Sequence, residues 1–177
     1  MLTQILFQIL QRTPVWVYGL FFGLLALGYL QSKPRELSKL RLAVLPLVLC
    51  ALSLAQVWAG FSAQPLAYAA WSGGIAVALL ANRALKQPAG ARWSAASGTF
   101  HVPGSWTPLA LMMAIFFARY ALNVSLAFAP GLAQLSGFAA AASFGFGLLS
   151  GTFLARALWV WSLRPARTAH ARAYDQA

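Results

Sequence analysis

The feature that most constrains this chain is a set of five long apolar stretches separated by short basic segments. They run from about 14 to 30, 42 to 61, 65 to 81, 106 to 128 and 137 to 161. A helix needs about 20 residues to cross the hydrocarbon of a bilayer, and each stretch is long enough to span. Only 8% of the residues are charged, against about 25% in a soluble domain that must keep its surface wet. Helices and closed barrels are the backbones that satisfy their own polar groups inside lipid. No alternation of period two supports a barrel. The expected fold is therefore all-α, a five-span transmembrane helical bundle forming a single integral membrane domain over residues 1–177. Thr13 can cap the first span, and Pro14, Pro65 and Pro108 fall in first turns, where a missing N–H costs nothing.

The basic residues give the bundle a direction. Of 13 Lys and Arg, four (Lys33, Arg35, Lys39, Arg41) follow the first span and three (Arg83, Lys86, Arg92) follow the third. Three more, Arg164, Arg167 and Arg172, follow the fifth. These ten share one side of an alternating topology, and the other side carries only Arg12. Positive charge is retained in the cytoplasm, so the N-terminus is expected outside and the tail inside. Basic clusters between apolar runs also suit anionic lipid headgroups rather than nucleic acid.

Two segments outside the spans carry patterns. In Met1–Gln11, the residues Leu2, Ile5, Leu6, Ile9 and Leu10 share a helical face opposite Thr3, Gln4, Gln8 and Gln11. This fits a short helix lying in the interface, or an extension of the first span. A cleaved leader is not expected, because the basic n-region and a small-residue cleavage site are missing. In the long cytoplasmic loop, 92–94 and 99–102 flank a Gly-containing four-residue turn. Two short strands fit there, with Trp93, Phe100 and Trp106 at the membrane surface, and an irregular loop fits as well.

Charge inside a span is costly and marks a candidate site. Arg156 is expected to snorkel to the cytoplasmic interface. Arg119 lies 11 residues past Pro108, roughly 16 Å into a core about 30 Å thick. The two acidic residues, Glu36 and Asp175, both fall in cytoplasmic segments, so Arg119 needs neutral acceptors, water, lipid phosphate or a bound anion. Gln56, Tyr68, Ser72, Asn123 and Ser143 lie at matching depth or nearer the outer side, with Ser53 and Tyr120. The expectation is a polar cluster around Arg119 that binds a ligand, or else a hydrogen-bonded arginine that locks the bundle.

Small residues recur every four positions: Ala139, Ser143, Gly147, Gly151 and Ala155 in span five, Gly19 and Gly23 in span one, Ala51, Ala55 and Ala59 in span two. Such stripes let helix backbones approach closely, within one chain or in a homo-dimer. The single Cys50 allows no disulfide within the chain and no Cys-x-x-Cys motif, and it reads as a small hydrophobe. His101 and His170 lack a second ligand at metal spacing. The chain has no phosphate loop, nucleophile elbow or carboxylate pair, so no cofactor and no enzymatic activity is expected.

The stretch Thr99-Phe100-His101-Val102-Pro103-Gly104-Ser105-Trp106-Thr107-Pro108-Leu109, continuing to Phe116-Phe117-Ala118-Arg119-Tyr120, resembles a family of small multi-span bacterial membrane proteins of unknown function. So do Gln8-Ile9-Leu10-Gln11-Arg12-Thr13-Pro14-Val15-Trp16-Val17 and Ser150-Gly151-Thr152-Phe153-Leu154-Ala155-Arg156-Ala157. A more distant similarity is to small membrane proteins named for cytochrome c biogenesis, which also carry an arginine within a span. With no thiol pair in this chain, the resemblance implies an inner-membrane location and no activity. The expected function is non-enzymatic binding or structure organised around Arg119. The alternative is a small transporter or exporter component for an anionic or amphipathic solute.

Overall fold

The computed structural model describes residues 15–95 and 97–163. The expected interfacial helix over Met1–Gln11 and the basic tail from Arg164 lie outside the described residues. Five α-helices are present among them: α1 (Val15–Gln31), α2 (Lys39–Phe61), α3 (Pro65–Leu85), α4 (Thr107–Phe128) and α5 (Ser136–Ser162). Four of them, α2 to α5, are long and apolar enough to cross a membrane, and α1 is a shorter apolar helix.

Local chemistry sets the ends of these helices. The Ser38 side chain accepts the Arg41 backbone N–H at the start of α2. Prolines stand in the first turns of α3 and α4. Lys86 closes α3 in the left-handed conformation, its N–H donating to the Asn82 carbonyl at 2.7 Å. A 3₁₀ turn, Pro130–Gln134, links α4 to α5.

The helices form two unequal groups. α5 lies along α3 and against α2, whereas α1 packs against α4. The α3–α5 contact is so close that no side chain fits between the backbones. A Cβ on Gly74 would meet the Phe144 carbonyl and, at 2.7 Å, the Leu148 nitrogen; one on Gly147 would meet the Trp71 carbonyl. The small-residue stripe of α5 is spent here: Ala139, Ser143, Gly147, Gly151 and Ala155 are all buried. The other two stripes face outward. Ala51, Ala55 and Ala59 are exposed on α2, and nothing lies within 4 Å of a Cβ placed on Gly19 or Gly23.

At one end, a core of Val57, Phe61, Ala67, Leu122, Ala139 and Phe146 joins α2 to α5. At the other end sits a three-stranded sheet of order β1-β3-β2, made of Arg35–Leu37, Thr99–Val102 and Arg92–Ser94. The expected hairpin is β2–β3, pairing Ser94 with Thr99, and Gly98 takes the positive φ of 64° that the turn requires. The third strand, β1, has no counterpart in the sequence pattern. It pairs antiparallel with β3 and brings the α1–α2 loop beside the α3–α4 loop. Phe100 and Val102 press inward on Leu42 of α2 and Val160 of α5. The basic loops therefore converge on one end, and the opposite end carries no Lys or Arg among the described residues.

Two adjacent glycines test the α3–α5 contact. Gly74→Val is expected to lower unfolding stability in detergent by about 2–3 kcal/mol, since the α5 backbone blocks the new methyls. A Cβ on Gly73 meets nothing within 4 Å, and Gly73→Val is expected to stay within about 0.5 kcal/mol of the parent. Equal effects of the two would contradict the packing described.

Candidate functional site

Arg119 lies 12 residues into α4 and nine from its end, about 18 Å and 14 Å along the axis. Its side chain reaches α2. Both Nε and Nη2 donate to the Oε1 of Gln56, at 3.2 and 2.9 Å. Gln56 stands five residues from the end of α2, about 8 Å, so the guanidinium leans toward the end opposite the sheet. The amide oxygen offers two lone pairs and takes two N–H groups. A formal cation is thus met by a neutral dipole on a neighbouring helix.

The other residues matched by depth go elsewhere. Asn123 and Ser72 are exposed on the bundle perimeter. Ser143 is fully buried in the α5 stripe, and Tyr68 packs edge-on to Trp58. Neither the Tyr68 hydroxyl nor the Ser143 Oγ has a hydrogen-bond partner among the described residues. Ser53 belongs to a different group. Its hydroxyl donates to the Cys50 carbonyl at 2.9 Å, lies 3.0 Å from Ser150 Oγ, and accepts the Trp71 indole N–H at 3.0 Å. Ser150 in turn donates to the Phe146 carbonyl at 2.7 Å. This chain ties α2, α3 and α5 together where α5 runs closest to α3. Sequence reasoning missed it as a set, because a serine beside a glycine stripe and a tryptophan in an apolar run carry no mutual signal.

A second polar concentration lies under the sheet. A half-open cleft of about 380 Å³ is lined by the end of α1, the start of α2, the end of α5 and the loops above them. Three arginines line it: Arg35, Arg41 and Arg156. Strand register explains the first. Arg35 pairs with Val102 and Leu37 with Phe100, so Arg35 shares the face that turns toward the helices. Glu36 shares the opposite face with His101 and accepts a hydrogen bond from Thr99 Oγ1 at 3.1 Å. Arg35 Nη2 donates to Gln31 Oε1 at 3.0 Å. Burial lowers the pKa of the Arg35 guanidinium from its ordinary value, yet arginine remains protonated in proteins. Arg156 stands 20 residues into α5, about 30 Å from its other end, toward the end that carries the sheet. Asn82 closes this end, its Nδ2 donating to the carbonyls of Gln87 at 3.2 Å and Ala155 at 3.1 Å.

The class defined by these observations is a helical bundle with four helices able to cross a membrane, capped at its basic end by a small sheet. The chain belongs to a family of unknown function (DUF6622), whose family model matches residues 2–174. That agrees with the expectation of an uncharacterised family. No curated protein and no solved structure matches the chain.

A double-mutant cycle measures the Arg119–Gln56 pair. Gln56→Leu leaves the guanidinium without its acceptor and is expected to cost about 1–3 kcal/mol. Adding Arg119→Leu is expected to recover part of that loss, giving a favourable wild-type coupling of about 0.5–2 kcal/mol from chemical denaturation in detergent. Strict additivity would show that the two side chains do not interact.

Proposed function

We propose that this chain is a multi-pass protein of the bacterial inner membrane, with five spans, a periplasmic N-terminus and a cytoplasmic tail. Its role is non-enzymatic. It binds lipid or a partner, and Arg119 serves as an interhelical fastener. The observation that carries this reading is the double donation from Arg119 to Gln56. With two of its donors committed to a neighbouring helix, Arg119 acts first on the bundle itself. The α1 helix counts as a span on composition: its 17 residues carry no charge and are apolar up to Gln31 apart from the hydroxyls of Tyr18 and Tyr29, it runs beside α4, and the apolar stretch begins one residue earlier at Pro14. The orientation rests on the basic loops meeting at the sheet end. The bilayer is the principal partner, with anionic headgroups at those loops, and the outward small-residue faces of α1 and α2 are where a second copy would dock.

The alternative reading is a transporter or exporter component for an anionic or amphipathic solute, its path passing Arg119. It requires that guanidinium to meet water. A membrane-impermeant arginine reagent such as hydroxyphenylglyoxal, followed by peptide mass spectrometry, separates the readings. In inverted vesicles Arg83 and Arg92, both exposed, are expected to react while Arg119 stays unmodified. In right-side-out vesicles all three are expected to be spared. Reaction of Arg83 and Arg92 from the periplasmic side would reverse the orientation. Reaction of Arg119 as fast as the loop arginines would favour the solute path.

A further inference from the structure

We infer that the cleft beneath the sheet is a binding site for the phosphate headgroup of an anionic phospholipid, held by Arg35, Arg41 and Arg156. The inference rests on the membrane orientation proposed above and adds a specific site to it.

Four observations converge. The first is charge. Three arginines, Arg35 and Arg156 part-buried and Arg41 exposed, line a single cleft of about 380 Å³. Glu36, the carboxylate among the described residues, is turned to the outer face of the sheet and engaged by Thr99. Cations that line one cleft repel one another, and an anion bound among them would offset that repulsion.

The second observation is unused donor capacity. Arg35 donates to Gln31 through one nitrogen. The guanidiniums of Arg41 and Arg156 have no hydrogen bond or ion pair among the described residues. Each guanidinium carries five N–H donors in a planar fork that matches phosphate oxygens, and phosphate is the common ligand with enough acceptors for three such forks.

The third is the wall. Toward the bundle interior from the arginines the lining is apolar, with Leu27, Leu45, Pro46 and Phe153. A free anion has no use for such a surface, whereas the glycerol and upper acyl carbons of a lipid do. The cleft extends from Phe153 to Val160 along α5, about 10 Å, which is too short for a whole lipid and suited to a headgroup with the first part of its chains.

The fourth is access. α1 packs against α4 rather than along α2, and Leu27 and Leu30, which line the cleft, are also exposed on the outer surface of the bundle. The cleft therefore reaches the lipid-facing perimeter at the level of the basic loops. Basic pockets between helices on the cytoplasmic side are where acidic headgroups bind.

The test uses the purified full chain in neutral detergent, titrated with dioleoyl phosphatidylglycerol and read by native mass spectrometry. Dioleoyl phosphatidylcholine and inorganic phosphate serve as competitors. Arg41→Gln/Arg156→Gln removes two cations that make no hydrogen bond or ion pair among the described residues, so the fold is expected to survive. Arg83→Gln/Arg92→Gln removes the same charge from the same end, outside the cleft. The expected result is retention at least about tenfold weaker in the first variant, wild-type retention in the second, and little displacement by either competitor. Equal retention in the two variants, or equal loss, would mean that the site is absent or that the attraction is diffuse. Displacement by inorganic phosphate at concentrations comparable to the lipid would replace the lipid with a free anion and overturn the assignment. Should the first variant fail to assemble, Ala157→Trp fills the cleft with all arginines in place. The same loss is expected, and full retention would overturn the site. The arginine-reagent experiment decides orientation independently, so a failure here with orientation intact counts against the cleft alone.

Discussion

The physical constraint on which this structure depends is that a polar group inside an apolar bundle must find its partner within the bundle. Helices meet that demand for the backbone. Most of the polar side chains have a local answer. Arg119 turns to the Gln56 amide. Ser53, Ser150 and Trp71 close a chain at the α2–α3–α5 crossing. Thr152 returns its hydroxyl to the Leu148 carbonyl one turn back, and Asn82 bonds across to Ala155. With two acidic residues in the chain, neutral oxygens take the place that carboxylates fill elsewhere. A neutral acceptor supplies less attraction than a carboxylate, but it brings no second charge to desolvate.

Close packing follows from the same constraint. Where no water is expelled between helices, association relies on contact area and hydrogen bonds. The α5 stripe delivers that contact by letting α3 touch backbone to backbone at Gly74 and Gly147. The resulting α2–α3–α5 group is the most closely packed part of the molecule. The α1–α4 pair leans on it through the core around Leu122 and through Arg119. The cleft under the sheet lies where the two groups diverge, between the end of α1 and the start of α2.

Much of this was legible in the sequence. The apolar stretches predicted the helices to within a few residues, and of the two readings open around Gly98, a hairpin or an irregular loop, the β2–β3 hairpin is the one that forms. The basic segments predicted their own convergence on one end. What stayed hidden was rotation. Spans that are apolar all round give no sign of which face turns inward, so one small-residue stripe went to the core and two to the perimeter. For the same reason Gln56 could not be told from Tyr68, Ser72, Asn123 or Ser143 as the partner of Arg119, since all five fell at its depth or nearer the outer side. β1 escaped because three residues, Arg35 to Leu37, show no periodicity of their own. They become a strand only because β3 offers an edge, and that pairing alone turns Arg35 inward and Glu36 out.

The cations of the described residues fall into three groups: loop residues at the sheet end, three arginines at the cleft beneath it, and one arginine bonded mid-bundle. The central claim is that this last charge is held by an amide on α2. Solid-state NMR of the protein in lipid bilayers, with nitrogen-15 in arginine and carbon-13 in glutamine, measures the separation of Arg119 Nε from Gln56 Cδ. The Nε to Oε1 distance of 3.2 Å sets an expected value of about 4 Å. A separation beyond about 6 Å, out of hydrogen-bond reach, would contradict the account.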